Sequence, residues 1–118
     1  MYSAAVLDHF ENPRNAGEVA NPDASVLIEN PACGDVLRLT LKVEAGRVLE
    51  ARFRAKGCVP AMACGSRLTE LIQGRDLSDL ADLDRDRLAA SLGGLPEAST
   101  HAGQLAVDAL RAALQQLK

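Results

Sequence analysis

Apolar and polar residues alternate most cleanly from Val36 to Val43. Leu37, Leu39, Leu41 and Val43 fall on one face, with Arg38, Thr40 and Lys42 on the other. A period of two marks a strand with one buried face. Glu44-Ala45-Gly46-Arg47 supplies a turn, after which Leu49, Ala51, Phe53 and Ala55 point inward against Glu50, Arg52 and Arg54. Two such runs around a Gly-containing turn predict an antiparallel hairpin, packed on one face and wet on the other. Ser25 to Ile28 reads as a short edge strand running into Asn30-Pro31. Upstream, residues 3–10 carry apolar side chains at 6, 7 and 10, a short helix ended by Asn12-Pro13-Arg14-Asn15. A loop rich in Asn, Pro and Asp continues to about residue 24.

After Gly57-Cys58 the period lengthens. Ala61, Cys64, Leu68, Leu71 and Ile72 recur at helical spacing between Pro60 and Gln73, with Pro60 suited to a first turn and Gly74 to a stop. Residues 77–92 are expected to hold two short helices, the first capped by Ser78. Gly93-Gly94-Leu95-Pro96 breaks the chain, and Leu105, Ala109, Ala112 and Ala113 stripe a last helix from about Thr100 to Leu117. Strands grouped ahead of helices predict an α+β fold: a small antiparallel three-stranded sheet with helices packed on one face. At 118 residues the chain is expected to form one domain, residues 1–118.

Composition narrows the function classes. Aromatic residues make up 3% with no Trp, and the net charge is −3, which argues against nucleic acid or an anionic membrane as partner. No apolar run approaches the ~18 residues that span a bilayer, and no signal peptide is legible, so a cytoplasmic location is expected. In a reducing space, three cysteines are not expected to form a structural disulfide.

The chemistry-bearing residues sit where elements meet. Cys33-Gly34-Asp35 precedes the first long strand, Cys58 stands at the switch from strand to helix, and His101 opens the last helix. The Gly lets Cys33 and Asp35 aim at one point, and a thiolate with an exchangeable carboxylate suits labile iron–sulfur binding. Before a helix N-terminus, the Cys58 thiol is expected to have a lowered pKa. Each residue also has an ordinary reading: a turn acid, a buried thiol, a polar helix-start His.

These motifs resemble the IscU/NifU-type iron–sulfur cluster assembly scaffolds. The resemblance rests on Asp8-His9-Phe10-Glu11-Asn12-Pro13-Arg14-Asn15, Pro31-Ala32-Cys33-Gly34-Asp35, Gly57-Cys58 and the approach from Leu95-Pro96 to His101, in order along nearly the whole chain. It implies that Cys33, Asp35, Cys58 and His101 line one exposed site for a [2Fe–2S] cluster, with zinc as an alternative occupant. It also implies a cysteine desulfurase as sulfur donor, apo-acceptor iron–sulfur proteins as recipients, and no turnover of a small-molecule substrate, hence no enzyme. Self-association into a homo-oligomer is compatible with it.

Two departures stand out. Where the family continues His-Cys, this chain reads His101-Ala102, and an Ala can neither ligate nor carry a persulfide. Where IscU recruits a dedicated chaperone through Leu-Pro-Pro-Val-Lys, the chain has Leu95-Pro96-Glu97-Ala98-Ser99, which argues against that partner. Cys64, one helical stretch beyond Cys58, is a candidate replacement ligand if it looks back toward the site, and otherwise a small core hydrophobe. The alternative to a cluster scaffold or carrier is a zinc-binding regulatory or partner-binding module on the same fold, because two thiolates, a carboxylate and an imidazole also complete a tetrahedral zinc site. A thiol enzyme with Cys58 as nucleophile and His101 as base is the least supported, since no oxyanion hole is legible.

Overall fold

The computed structural model describes residues 2–32 and 34–118. Helix α1 (Ala4–Glu11) precedes strands β1 (Ala24–Asn30), β2 (Asp35–Glu44) and β3 (Arg47–Lys56), which form one antiparallel sheet in the order β1-β2-β3. Helices α2 (Val59–Ile72), α3 (Arg85–Ser91) and α4 (Thr100–Gln116) follow, with short 3-10 turns at Leu77–Asp82 and Glu97–Ser99. The expected α+β fold, a three-stranded antiparallel sheet with helices on one face, is the fold observed. Leu37, Leu39, Leu41, Val48, Ala51 and Phe53 meet Leu68 and Ile72 of α2 and Leu105, Ala109 and Leu110 of α4 in one core.

The hairpin departs from the expected register at one point. Lys42 pairs with Glu50 but Val43 pairs with Val48, so Leu49 is the extra residue of a bulge. A bulge flips the side-chain alternation beyond it. Val48 is therefore fully buried, while Leu49, expected inward, is 57% exposed. The outer face is also less wet than predicted. The loop after α1 crosses it, the Val19 amide donates to Thr40 Oγ1 at 2.9 Å, and Thr40 and Val19 are both buried. Sequence alternation registers the strands and cannot register a loop laid across them. Ser78 does not cap the 3-10 turn, which starts after Asp76 without a side-chain cap; Asp84 caps α3 by accepting from the Arg87 amide.

Helix α2 is buried on most of its circumference, and small polar residues make that tolerable. Gly65 lies on Phe53, where a Cβ would come within 2.6 Å of the ring. Beside it, Ser66 and Thr69 hold the Asp8–Asn15 motif. His9 Nε2 lies 3.2 Å from Glu70 Oε1 and Nδ1 lies 2.7 Å from Ser66 Oγ. A carboxylate only accepts, so the network assigns the proton to Nε2. The Ser66 hydroxyl then donates to Nδ1 and accepts from the Arg14 amide at 2.8 Å. The sequence motif is thus a clasp of α1 and its following loop onto α2.

That clasp favours a neutral imidazole. Burial is the largest cause lowering the His9 pKa from its ordinary value; Arg14 and Arg67 lower it further, and Glu70 and Asp8 oppose them. The folded chain therefore binds fewer protons here than the unfolded chain. This contribution to stability is complete above the ordinary value of about 6.5 and declines as pH falls through it toward the lower folded value. Urea midpoints measured between about pH 7.5 and about pH 5 should fall more steeply for the wild type than for His9→Gln. Parallel slopes would show that His9 does not contribute.

Candidate functional site

Two helix N-termini meet at the end of the sheet where β1 turns into β2 and β3 gives way to α2. Cys58 is the N-cap of α2, and Ser99 is the N-cap of α4; neither makes a side-chain capping bond. Between them lies a cleft of about 420 Å³ lined by Tyr2, Asp35, Gly57, Cys58, Pro60, Ala98, Ser99 and His101. Three of the sequence-predicted residues, Asp35, Cys58 and His101, thus share one cavity. Cys33 lies outside the described residues. The loop that carries it leaves β1 at Asn30 and re-enters at Asp35, and these two residues are cross-strand partners. Gly34, at φ 76°, donates its amide to the Asn30 carbonyl at 2.7 Å and closes the turn.

Asp35 is the organising side chain. It is 4% exposed. Oδ1 accepts the Cys58 amide and Oδ2 accepts the Cys58 thiol, each at 3.2 Å. Gly57 makes this approach possible. Its φ is +147°, and a Cβ there would stand 2.0 Å from Asp35 Oδ1. The glycine before the cysteine is the gap into which the carboxylate fits. His101 is exposed on the first turn of α4 and faces the cleft from the other side. Among the described residues, no three His, Cys, Asp or Glu side chains are grouped closely enough to hold a metal ion.

The Cys58 thiol is not lowered as the sequence suggested. Burial raises its pKa most, and the hydrogen bond and charge of Asp35 raise it further. The α2 N-terminus does act, through the Ala61 amide, but it is outweighed. Sequence position showed the helix end and concealed the carboxylate. Deprotonation becomes easier once a cation engages the pair.

Cys64 is fully buried, and burial, with Cys58 nearby, pushes its thiol up to about 12. It lies in the core rather than on the cleft wall. Ala102 is likewise in the core, at 1% exposure, so the α4 residue presented to the cleft is His101. Sequence reasoning passed over Tyr2. It lies just before Ser3, the α1 N-cap, whose hydroxyl also donates to the Leu92 carbonyl. That anchor sets the chain end beside the cleft, and a lone Tyr in an aromatic-poor chain was the available signal.

The family described as the NifU-like N-terminal domain matches residues 1–118. The chain belongs to that family. Among curated relatives, "Iron-sulfur cluster assembly scaffold protein IscU 1" of Archaeoglobus fulgidus is 40% identical over 114 residues, covering 97% of this chain and 74% of the relative. The scaffold protein IscU of Haemophilus influenzae is 38% identical over 121 residues, covering 99% and 95%. The fold matches the crystal structure of a NifU-like protein N-terminal domain from Brucella abortus with a TM-score of 0.79 at 22% identity, covering 98% of this chain and 92% of that one. The two chains therefore share the fold. Among the described residues, no helix is long and apolar enough to cross a membrane.

Proposed function

We propose that the protein is an iron–sulfur cluster assembly scaffold that holds its cargo on Cys58, Asp35 and His101 together with Cys33. The observation that carries the reading is the pairing of buried Asp35 with half-buried Cys58 at a helix N-terminus, in the cleft His101 lines. Two thiolates, a carboxylate and an imidazole fit an iron–sulfur cluster, of [2Fe–2S] size in this reading, and the helix ends favour the anionic assembly. Asp35 orients the Cys58 sulfur before loading and accepts its proton-bearing end. His101, exposed and on a separate element, can bind or let go without disturbing the core.

In this reading Cys64 stays protonated in the core and contributes packing, because ligation requires a thiolate that burial disfavours. A cysteine desulfurase supplies sulfur to Cys58 or Cys33 rather than to position 102, and apo-acceptor proteins take the finished cluster. No small molecule is turned over.

Anaerobic reconstitution with iron and sulfide tests this directly. The wild type should develop absorption in the ~400–450 nm region with matching iron and sulfide content. Cys64→Ser should match it, and Cys58→Ser should lose most of it. A protein that takes up zinc alone and stays colourless would instead support a zinc-binding regulatory module. Loss of cluster in Cys64→Ser at unchanged stability would restore that thiol to the ligand set.

A further inference from the structure

The free edge of β1 is covered at one end and open at the other. Ser25 donates its amide to Gln116 Oε1 at 2.9 Å and accepts from Gln116 Nε2 at 2.8 Å. Its peptide groups therefore point away from β2, and in an antiparallel ladder those of Leu27 and Glu29 point the same way. Among the described residues, neither has a backbone partner on that side. The Leu27 side chain is 55% exposed. Beyond the edge, a groove of about 230 Å³ runs between β1 and α4, past Ile28, Glu29, Gln104 and Asp108, and ends at His101. Glu29 and Asp108 flank it, and neither is in an ion pair among the described residues. Among the described residues, Asp108 accepts only from the Gln104 side-chain amide, at 2.8 Å.

We infer that this edge is a docking site for an extended segment of a partner protein that carries a basic side chain. The segment adds a strand beside Leu27 and Glu29, its Lys or Arg meets Glu29 and Asp108, and its end arrives at His101 on the rim of the site. Main-chain pairing supplies adhesion and the carboxylates supply selection. A second copy of this chain fits poorly, because β1 (Ala24–Asn30) carries no basic side chain to meet Glu29 and Asp108, even in a pairing about Ile28 that sets Leu27 opposite Glu29. Pairing β1 with its own copy about Leu27 sets each Glu29 opposite a Ser25 already held by Gln116. Pairing about Glu29 sets two carboxylates opposite each other, which is destabilising.

The inference is read on the metal-free full chain, so it stands or falls apart from the cluster reading. In 15N-labelled protein the Leu27 and Glu29 amides should exchange at least about tenfold faster than those of Val26 and Ile28. An alternating Thr/Val octapeptide with one central Arg should slow both amides. The same peptide with Glu in place of Arg should bind about fivefold more weakly or worse. Glu29→Lys should reverse that preference. Leu27→Pro should abolish pairing with little loss of stability, because its amide faces away from β2. Protection of Leu27 in the free chain, equal binding or no binding of the two peptides, or a peptide-independent dimer in sedimentation would each overturn the proposal.

Discussion

Gly57→Ala is expected to empty the site while leaving the sheet standing. The new Cβ would fall 2.0 Å from Asp35 Oδ1, 2.7 Å from its Cγ and 3.1 Å from its Cα. The Cα is backbone in β2 and cannot swing aside, so the carboxylate must leave its place. Cys58 then loses the acceptor of both its amide and its thiol. Partners of metal-binding residues alone typically carry a 10–100-fold effect on affinity, and Asp35 is itself a proposed ligand, so zinc affinity by chelator competition should fall at least about tenfold, and iron and sulfide content with it. The φ of +147° adds strain of roughly 1–3 kcal/mol. Gly46→Ala separates the two effects. Gly46 also has positive φ, but nothing lies within 4 Å of its Cβ position. It should lose comparable stability and keep full metal content, and a Gly57→Ala protein that behaves the same way would refute the collision argument.

Ser66→Ala is the second substitution with a large expected effect, here on stability. The side chain is fully buried and serves two partners on a different part of the chain, His9 Nδ1 and the Arg14 amide. Removing the hydroxyl orphans both, at about 1–3 kcal/mol each, against a few tenths recovered from alanine's helix propensity. A net loss of about 3 kcal/mol is expected, near 10 °C in Tm. Loosening should appear first as faster amide exchange in α1 and the loop to Gly17. A loss below about 1 kcal/mol would mean that water replaces the hydroxyl.

Local pattern made the architecture legible. Leu37, Leu39 and Leu41 face the core as their alternation requires, α2 starts and stops within a residue or two of Pro60 and Gly74, and α4 covers the stretch its apolar stripe marked. What escaped depended on partners distant in sequence. Leu49 turned outward because a bulge sits beside it, and a bulge has no period. Thr40 is buried by a loop some 20 residues earlier. Asp84, not Ser78, caps a helix, and both are residue types that cap well, so composition could not choose between them. At the site, short motifs marked Asp35, Cys58 and His101, and the fold brings these three to one cleft. The sign of the Cys58 pKa shift was illegible, because it depends on a carboxylate 23 residues away packed against a glycine.

The Asp35–Cys58 hydrogen bond also bears on how tightly anything can be held. In the proposed scaffold the two groups already satisfy each other before loading, so an incoming metal would have to displace an existing interaction rather than fill unmet valences. The measured affinity is then the difference between metal–ligand bonding and the internal bond it replaces. Release is assisted for the same reason, since the departing cargo leaves behind two groups that can rejoin at once. A resident structural metal gains nothing from such competition. A protein whose task is to hand its cargo onward does, because its own side chains wait to reclaim the vacated positions.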